Sequence, residues 1–271
     1  MQITDKVFVV TGGGNGIGRE VVLGLLERGA RVAALDLRAD SLERTAELAG
    51  AGDRLTLHPC DVSDQEAVTR VFAEIVSAHQ HLDGLLNVAG IIQKFVPLAD
   101  LDTAEIEKVM AVNFWGVVYT TKAALPHLLT RPHACVINVS SMGGFTPVPG
   151  QTAYGASKAA VKLFTEGLYA EMRGTNVAVT IVFPGAIGTE ISVNSGVTTA
   201  EAAAEQKAEG GSSFRMTSPE DAGAQIIEAV EKGPYRVTIG RDAAMLDRFS
   251  RIAPQRATEM IAKKMASLLK S

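Results

Sequence analysis

"KVFVVTGGGNGIGREVVLGLLERG" occupies residues 6–29, and its two halves have different periods. "KVFVVT" is a short, β-branched apolar run, the pattern of a strand buried on both faces. "GREVVLGLLERG" carries its apolar residues at helical spacing. Between them stands "TGGGNGIG", Thr11–Gly18. Gly12, Gly16 and Gly18 permit a tight turn and close backbone approach where the helix begins. The first turn of such a helix offers free N–H groups and a favourable dipole, which suits a pyrophosphate. A glycine-rich turn without a ligand is the plainer alternative.

The same alternation continues along the chain. Apolar strand patterns recur at "RVAALD" (31–36), "RLTLHPCDV", "LDGLLNVAG", "ACVINVSS", "VAVTIVFPG" and "YRVTIG". Helical patterns separate them: "DSLERTAELAG", "DQEAVTRVFAEIVSAH", a long helix over 104–129, a helix carrying Tyr154, and one near 219–232. Strands alternating with helices, and apolar almost throughout, indicate a parallel sheet covered on both faces. Right-handed crossovers then give an α/β, single-domain, Rossmann-like doubly wound parallel sheet of about seven strands. Residues 1–271 are expected to form one such domain, with no linker or internal repeat dividing them.

Composition narrows the function. The chain has 271 residues, 46% apolar and 21% charged, an ordinary globular balance. A net charge of -4 argues against a general nucleic-acid binder. No apolar run approaches the roughly eighteen residues of a membrane span, and the N-terminal stretch lacks the pattern of a signal peptide. Cys60 and Cys135 lie far apart in apolar segments, which fits reduced thiols in the cytoplasm better than a disulfide. The histidines show no metal-ligand spacing, so no metal is expected.

"SSMGGFTPVPGQTAYGASK" (140–158) supplies the chemistry. Tyr154 and Lys158 are four apart, hence on one helix face. Ser141 lies thirteen residues before Tyr154, across a Gly/Pro-rich stretch that folds back. A ketone accepting hydride needs a proton, and an alcohol losing hydride needs a base. Tyrosine serves both directions, but with a pKa near ~10 its phenolate is scarce at neutral pH. A nearby ammonium favours the phenolate, which is the part expected of Lys158. Ser141 would anchor the substrate oxygen. Taken without context, a surface Tyr–Lys pair and a turn serine are the duller alternatives.

Asp36 ends the second strand, eighteen residues after Gly18. An acid there accepts hydrogen bonds from the adenosine ribose and repels a 2′-phosphate. NAD is therefore expected in preference to NADP. Arg38, two positions on, is the residue that would soften this preference. A helix or turn cap is the alternative role for Asp36.

These residues together resemble the short-chain dehydrogenases/reductases, over about residues 4–240. The likeness rests on seven motifs in order: "TGGGNGIG", "CDV" at 60–62, "NVAG" at 87–90, Asn113 in "VNFWG", "NVSS" at 138–141, "YGASK" at 154–158 and "PGAIGT" at 184–189. The resemblance implies an enzyme interconverting CH–OH and carbonyl groups. It implies that Asn15 and Ile17 join the glycines around the cofactor and that Asp61 and Val62 contact adenine. Asn87, Ala89 and Gly90 would support the ring; Val88 departs from the commoner "NNAG" and should affect packing more than chemistry. Pro184, Gly185, Ile187 and Thr189 would line the nicotinamide, Ile187 and Thr189 holding its carboxamide. Tyr154 and Lys158 would also lie against the cofactor, Lys158 on the nicotinamide ribose. Asn113 would hold a water linking Lys158 to solvent. The usual spacing picks Ser141 rather than Ser140, and pairing through the helices near 104–130 and 154–174 would give a homodimer or homotetramer.

Two segments break the rhythm. Residues 188–217 form a substrate-loop excursion with an alanine-rich, helical middle and a "GGSS" end. Residues 241–271 form a basic helical tail, with apolar positions Leu246, Phe249, Ile252, Ile261, Met265 and Leu268 and a break at Pro254. The excursion, 91–98 and 142–151 are the expected pocket walls. Ile91, Ile92, Phe95, Met142, Phe145 and Val148 make them mainly apolar, with Lys94 and Arg215 as exceptions. The small-molecule substrate expected is an apolar secondary alcohol or ketone, steroid- or lipid-like. A silent dinucleotide-binding sensor or scaffold, and a sugar-nucleotide epimerase or dehydratase, are the competing readings.

Overall fold

The computed structural model describes residues 1–189, 191–199 and 216–265. Seven parallel strands form one sheet in the order β3-β2-β1-β4-β5-β6-β7. They are β1 (Val7–Thr11), β2 (Arg31–Asp36), β3 (Leu55–Pro59), β4 (Gly84–Asn87), β5 (Ala134–Val139), β6 (Val177–Pro184) and β7 (Arg236–Ile239). β1, β4 and β5 are buried at every position, as apolar strands covered on both faces must be. Alternation along β1 divides the core. Phe8 and Val10 join the side chains of α1 (Gly16–Glu27) and α8 (Pro219–Lys232) on one face. Val7 and Val9 join those of α3 (Gln65–His79), α5 (Gly116–Leu128) and α6 (Thr152–Glu171) on the other. The remaining helix of the first half, α2 (Ala39–Ala49), follows β2 and buries Leu42 on the α1 face.

Strand order reverses between β1 and β4, so the loops after them diverge at their C-terminal ends. A crevice at this point is where open α/β sheets bind ligands. The C-terminal ends of β1, β2, β4, β5 and β6 bear Thr11, Asp36, Asn87, Val139 and Pro184. Every motif read from the sequence is carried on or just beyond one of these ends, or on a helix beside them.

The single long helix expected over 104–129 is interrupted. It comprises α4 (Thr103–Met110), a π-helical turn over Ala111–Trp115, and α5. The wider turn places Asn113 fully inside, whereas Trp115 is 47% exposed and stacks on Tyr119. Apolar periodicity does not reveal a local i→i+5 turn, because the helical pattern resumes on either side of it.

The tail forms α9 (Arg241–Ile252) and α10 (Pro254–Lys264). Pro254 opens the second helix, where its missing N–H removes no helical bond. Leu246 and Ile261 are buried against the domain, but Ile252, expected on the apolar face, is 84% exposed. It sits at the end of its helix, beyond the last turn that packs inward. Arg236 of β7 ties the tail down by pairing with Asp247 and Glu166 while lying 4.0 Å over the Phe183 ring. Leu268, Arg215 and the alanine-rich middle and "GGSS" end of the excursion lie outside the described residues. The excursion's described parts are the short helix α7 (Ile191–Asn194) and a base closed by the Ile187–Thr217 bridge.

Cys60 and Cys135 are both free and buried. Burial pushes their thiols up to about 11 and about 12, so neither is a reactive thiolate.

Candidate active site

The glycine turn after β1 is shaped by what it excludes. Gly12 has φ +71°, and a Cβ there would lie 2.9 Å from the Ala89 Cα. A Cβ on Gly18 would lie 2.0 Å from the Gly12 carbonyl oxygen, and one on Gly14 would lie 2.8 Å from the Asp36 carboxylate. Only glycine lets these backbones approach so closely. Thr11 Oγ1 accepts from the amides of Val88 (3.1 Å) and Ala89 (3.2 Å), sewing the turn to the loop after β4. Asn15 caps α1, its side chain accepting from Gly16 N at 2.7 Å. Ile17 packs on the core beneath. The result is a helix N-terminus opening onto a bare backbone cradle, which fits a dinucleotide pyrophosphate.

Asp36 is half-buried at the end of β2. Its Oδ2 accepts from Gly14 N (3.0 Å) and its Oδ1 from Arg38 N (3.2 Å). The carboxylate thus caps its own turn and retains acceptor capacity beside the cradle. The Arg38 guanidinium turns away to donate to Asn194 Oδ1 at 3.1 Å.

Other expected cofactor residues prove to be braces. Asp61 Oδ1 accepts from the amide and hydroxyl of Ser63, and Val62 is buried beside it. Asn87 is 2% exposed and spends its amide on Asn138 (2.9 Å), Thr121 (3.3 Å) and Thr120 (2.7 Å). Its side chain therefore holds β4 to β5 and to α5, leaving no amide group for a ligand. Val88 packs against the core, where a second asparagine would have needed partners. A Cβ on Gly90 would lie 3.1 Å from Lys158 Nζ and 3.2 Å from Asn113 Oδ1.

The loop after β6 faces the glycine turn. The Thr189 methyl lies 3.3 Å from where a Gly16 Cβ would stand. Asp242 of α9 accepts from Ala186 N at 2.8 Å, and its carboxylate fills the space that a Cβ on Gly185 would occupy. Nothing in the spacing of Pro184, Gly185, Ile187 and Thr189 announces this partner from the tail.

The proton-handling groups meet between these loops. Ser141 follows β5; its Oγ accepts from Gly143 N (3.0 Å), and its hydroxyl bonds the Tyr154 phenol. Ser140, the lesser candidate, donates to the Lys158 carbonyl at 2.7 Å and is buried. Lys158 is one turn beyond Tyr154 on α6, with Nζ 5.9 Å from the ring centroid and donating to the Val139 carbonyl at 3.0 Å. Asn113 donates to the Ile91 carbonyl (2.9 Å) and to Ser157 Oγ (3.0 Å), and accepts from Ile91 N (2.8 Å). Its amide is thereby consumed. Ser157 completes the chain by donating to the Tyr154 carbonyl at 2.7 Å.

Burial decides the titration of this cluster. It raises Tyr154 above its ordinary value, and the Ser141 hydrogen bond opposes it. It pushes Lys158 down to about 8. In the protein by itself, then, Tyr154 is a neutral acid held ready by Ser141.

The family model described as short chain dehydrogenase matches residues 6–200. The chain belongs to the short-chain dehydrogenases. Among curated relatives, SadH of Mycobacterium tuberculosis, an oxidoreductase by name, is 36% identical over 267 residues, covering 96% of this chain and 95% of its own. An uncharacterised oxidoreductase of Staphylococcus aureus is 36% identical over 190 residues, 70% of this chain and 81% of its own. Among solved structures, a short-chain dehydrogenase of Burkholderia cenocepacia in complex with NADP superposes with a TM-score of 0.79 at 27% identity, covering 96% of this chain and 99% of that one. A Burkholderia phymatum enzyme in complex with NAD has the same fold, with a TM-score of 0.85 at 23% identity over 94% and 96% of the two chains. This short-chain dehydrogenase is thus an NAD(P)-dependent oxidoreductase acting on CH–OH groups.

Proposed function

We propose that this dehydrogenase interconverts a mainly apolar secondary alcohol, steroid- or lipid-like, and its ketone, with NAD as cofactor and Tyr154 as the acid/base. The observation that carries the reading is the buried contact of Ser141 with Tyr154, one helical turn from Lys158. The nicotinamide dinucleotide, when bound, supplies or accepts the hydride.

Each residue then has one task. Ser141 fixes the substrate oxygen beside the Tyr154 hydroxyl. In reduction, Tyr154 gives its proton to the oxygen that gains charge; in oxidation, its phenolate takes the proton back. Lys158 favours that phenolate by charge and bonds the nicotinamide ribose. Asn113 holds the Ile91 loop, and a water relaying protons to Lys158 would bond its main chain, since its side-chain amide is committed.

The glycines, Asn15 and Ile17 form the pyrophosphate cradle. Asp61, Val62, Asn87, Ala89 and Gly90 shape the adenine side, and Pro184, Gly185, Ile187 and Thr189 the nicotinamide side. NAD rather than NADP is supported by the Asp36 carboxylate beside Gly14, and by Arg38, whose guanidinium is engaged with Asn194. Half-buried Ile91, Ile92, Phe95, Met142 and Val148 support an apolar substrate. Phe145 supports it less, because its ring is packed on Phe183 and near Arg236.

Pairing into a homodimer or homotetramer through the helices near 104–130 and 154–174 is supported by the exposed Trp115 and Leu163. A cytoplasmic location is supported by the two free thiols. No described helix is long and apolar enough to cross a membrane.

The test is NAD(H)- and NADP(H)-linked turnover on a panel of steroid, aliphatic and polyol alcohols and their ketones, beside Tyr154→Phe. NAD-linked turnover of an apolar member that collapses in the variant is expected. Equal turnover in Tyr154→Phe would overturn the acid/base assignment, and preference for polyols would overturn the substrate class.

A further inference from the structure

Helix α6 carries Tyr154 in its first turn, yet the residue at its N-cap, Gln151, makes no side-chain cap bond. First-turn N–H groups have no partner within their own helix and need one from outside it. The Tyr154 amide finds its partner 61 residues away, donating to Gln93 Oε1 at 3.0 Å. Gln93 is fully buried. Its Nε2 donates to the Gly150 carbonyl at 3.1 Å, and its own carbonyl accepts from Gln151 Nε2 at 2.7 Å. Three hydrogen bonds therefore lock Gln93 to the start of the catalytic helix.

The neighbours of Gln93 are tied elsewhere. Ile91 is bound at both its N–H and its carbonyl by Asn113. Ile92 N donates to Ser195 Oγ, just past α7, at 3.0 Å. Three consecutive residues thus join the π-turn, the excursion and the catalytic helix.

We propose that Gln93 is a positioning residue, a remote cap whose buried amide holds Tyr154 against Ser141 and registers the catalytic helix to the pocket wall at 91–98. The inference rests on Tyr154 being the acid/base. A glutamine is suited to the place because it presents an acceptor to the Tyr154 amide and a donor to the Gly150 carbonyl at once. Methionine matches its length and offers neither.

The experiment compares Gln93→Met, Gln93→Glu and Tyr154→Phe with the wild type, using the best substrate of the panel above. It reads kcat, KM, NADH affinity by fluorescence titration, and phenolate absorbance against pH, with Tyr154→Phe as the blank that isolates Tyr154. Gln93→Met is expected to lower kcat at least tenfold, leave NADH affinity within twofold, and move the Tyr154 titration upward as the Ser141 bond loosens. Gln93→Glu, which keeps an acceptor for the Tyr154 amide, is expected to recover part of kcat and to shift the alkaline limb of oxidation upward through its charge. Wild-type kcat with an unmoved titration in Gln93→Met overturns the proposal, as does loss of kcat matched by equal loss of NADH affinity. Should the methionine variant fail to fold, an unshifted alkaline limb in Gln93→Glu overturns it. Turnover retained in Tyr154→Phe defeats the acid/base assignment instead, a result separate from any effect at Gln93.

Discussion

Lys158 lies with its ammonium 5.9 Å from the centroid of the Tyr154 ring and bonded to the Val139 carbonyl, and among the described residues no carboxylate pairs with it. A buried lysine in that position works against folding. Its depression from 10.5 to about 8 corresponds to about 3 kcal/mol at neutral pH. Lys158→Met should therefore abolish turnover while leaving the protein at least as stable as wild type in urea denaturation. Between about 8 and 10.5 the unfolded chain still holds the lysine proton and the native one has lost it, so wild-type stability rises with pH there relative to the variant. A variant less stable than wild type at every pH would refute this account of Lys158.

The raised pKa of Tyr154 gives the two directions opposite pH preferences. Ketone reduction needs the protonated phenol and should be near full rate at neutral pH. Alcohol oxidation needs the phenolate and should climb toward alkaline pH. Profiles of kcat in both directions check this, and an oxidation rate falling between neutral and alkaline pH would count against Tyr154 as the base.

Gly18→Ala brings a Cβ to within 2.0 Å of the Gly12 carbonyl oxygen, which is backbone and cannot rotate away. The turn must open. We expect NADH affinity to fall at least tenfold, with stability lowered by about 1–3 kcal/mol as for other overpacked sites. Fluorescence titration and thermal unfolding measure the two effects separately.

Asp36→Ala removes the acceptor of the Gly14 amide and the charge facing the ribose site. The ratio of kcat/KM with NAD to that with NADP should drop at least tenfold. An unchanged ratio would assign the preference to other residues.

On the far edge of the sheet, His58 and His79 both bond the Thr56 hydroxyl, at 3.0 and 2.9 Å. Burial lowers both pKa values below the ordinary 6.5. The unfolded chain then takes up protons first as the solution is acidified. This contribution to stability is present above pH ~6.5 and is lost as pH falls below it. Urea midpoints at pH 7.5 and 5.5 should differ, and less so in His58→Gln.

Much of this was open to inspection in the sequence because the relevant signals are local. The strand-to-helix switch at Thr11–Gly18 and the apolar strands fix a parallel sheet, and the four-residue spacing of Tyr154 and Lys158 survives intact on α6. What stayed hidden depends on contacts between distant segments. Gln93 and Tyr154 are joined by a single amide bond across 61 residues, and no periodicity records it. Asn87 reads as a ligand residue in its motif, yet its amide is exhausted by Thr120, Thr121 and Asn138 from other elements. The π-turn at Asn113 is invisible for a related reason: the flanking helical pattern is regular, and only the three-dimensional path shows the widened turn.

The bond from Ala186 N to Asp242 has a practical side. The family match ends at residue 200, so a designer trimming the chain to its shared portion, or exchanging its tail for that of another member, would treat everything beyond β7 as a replaceable appendage. Such a graft would swap the carboxylate that seats against Gly185 and Gly240. The last helices are therefore a tuning handle for the cofactor loop, and chimeras joined after Arg241 but before Asp242 would reveal how far that handle reaches.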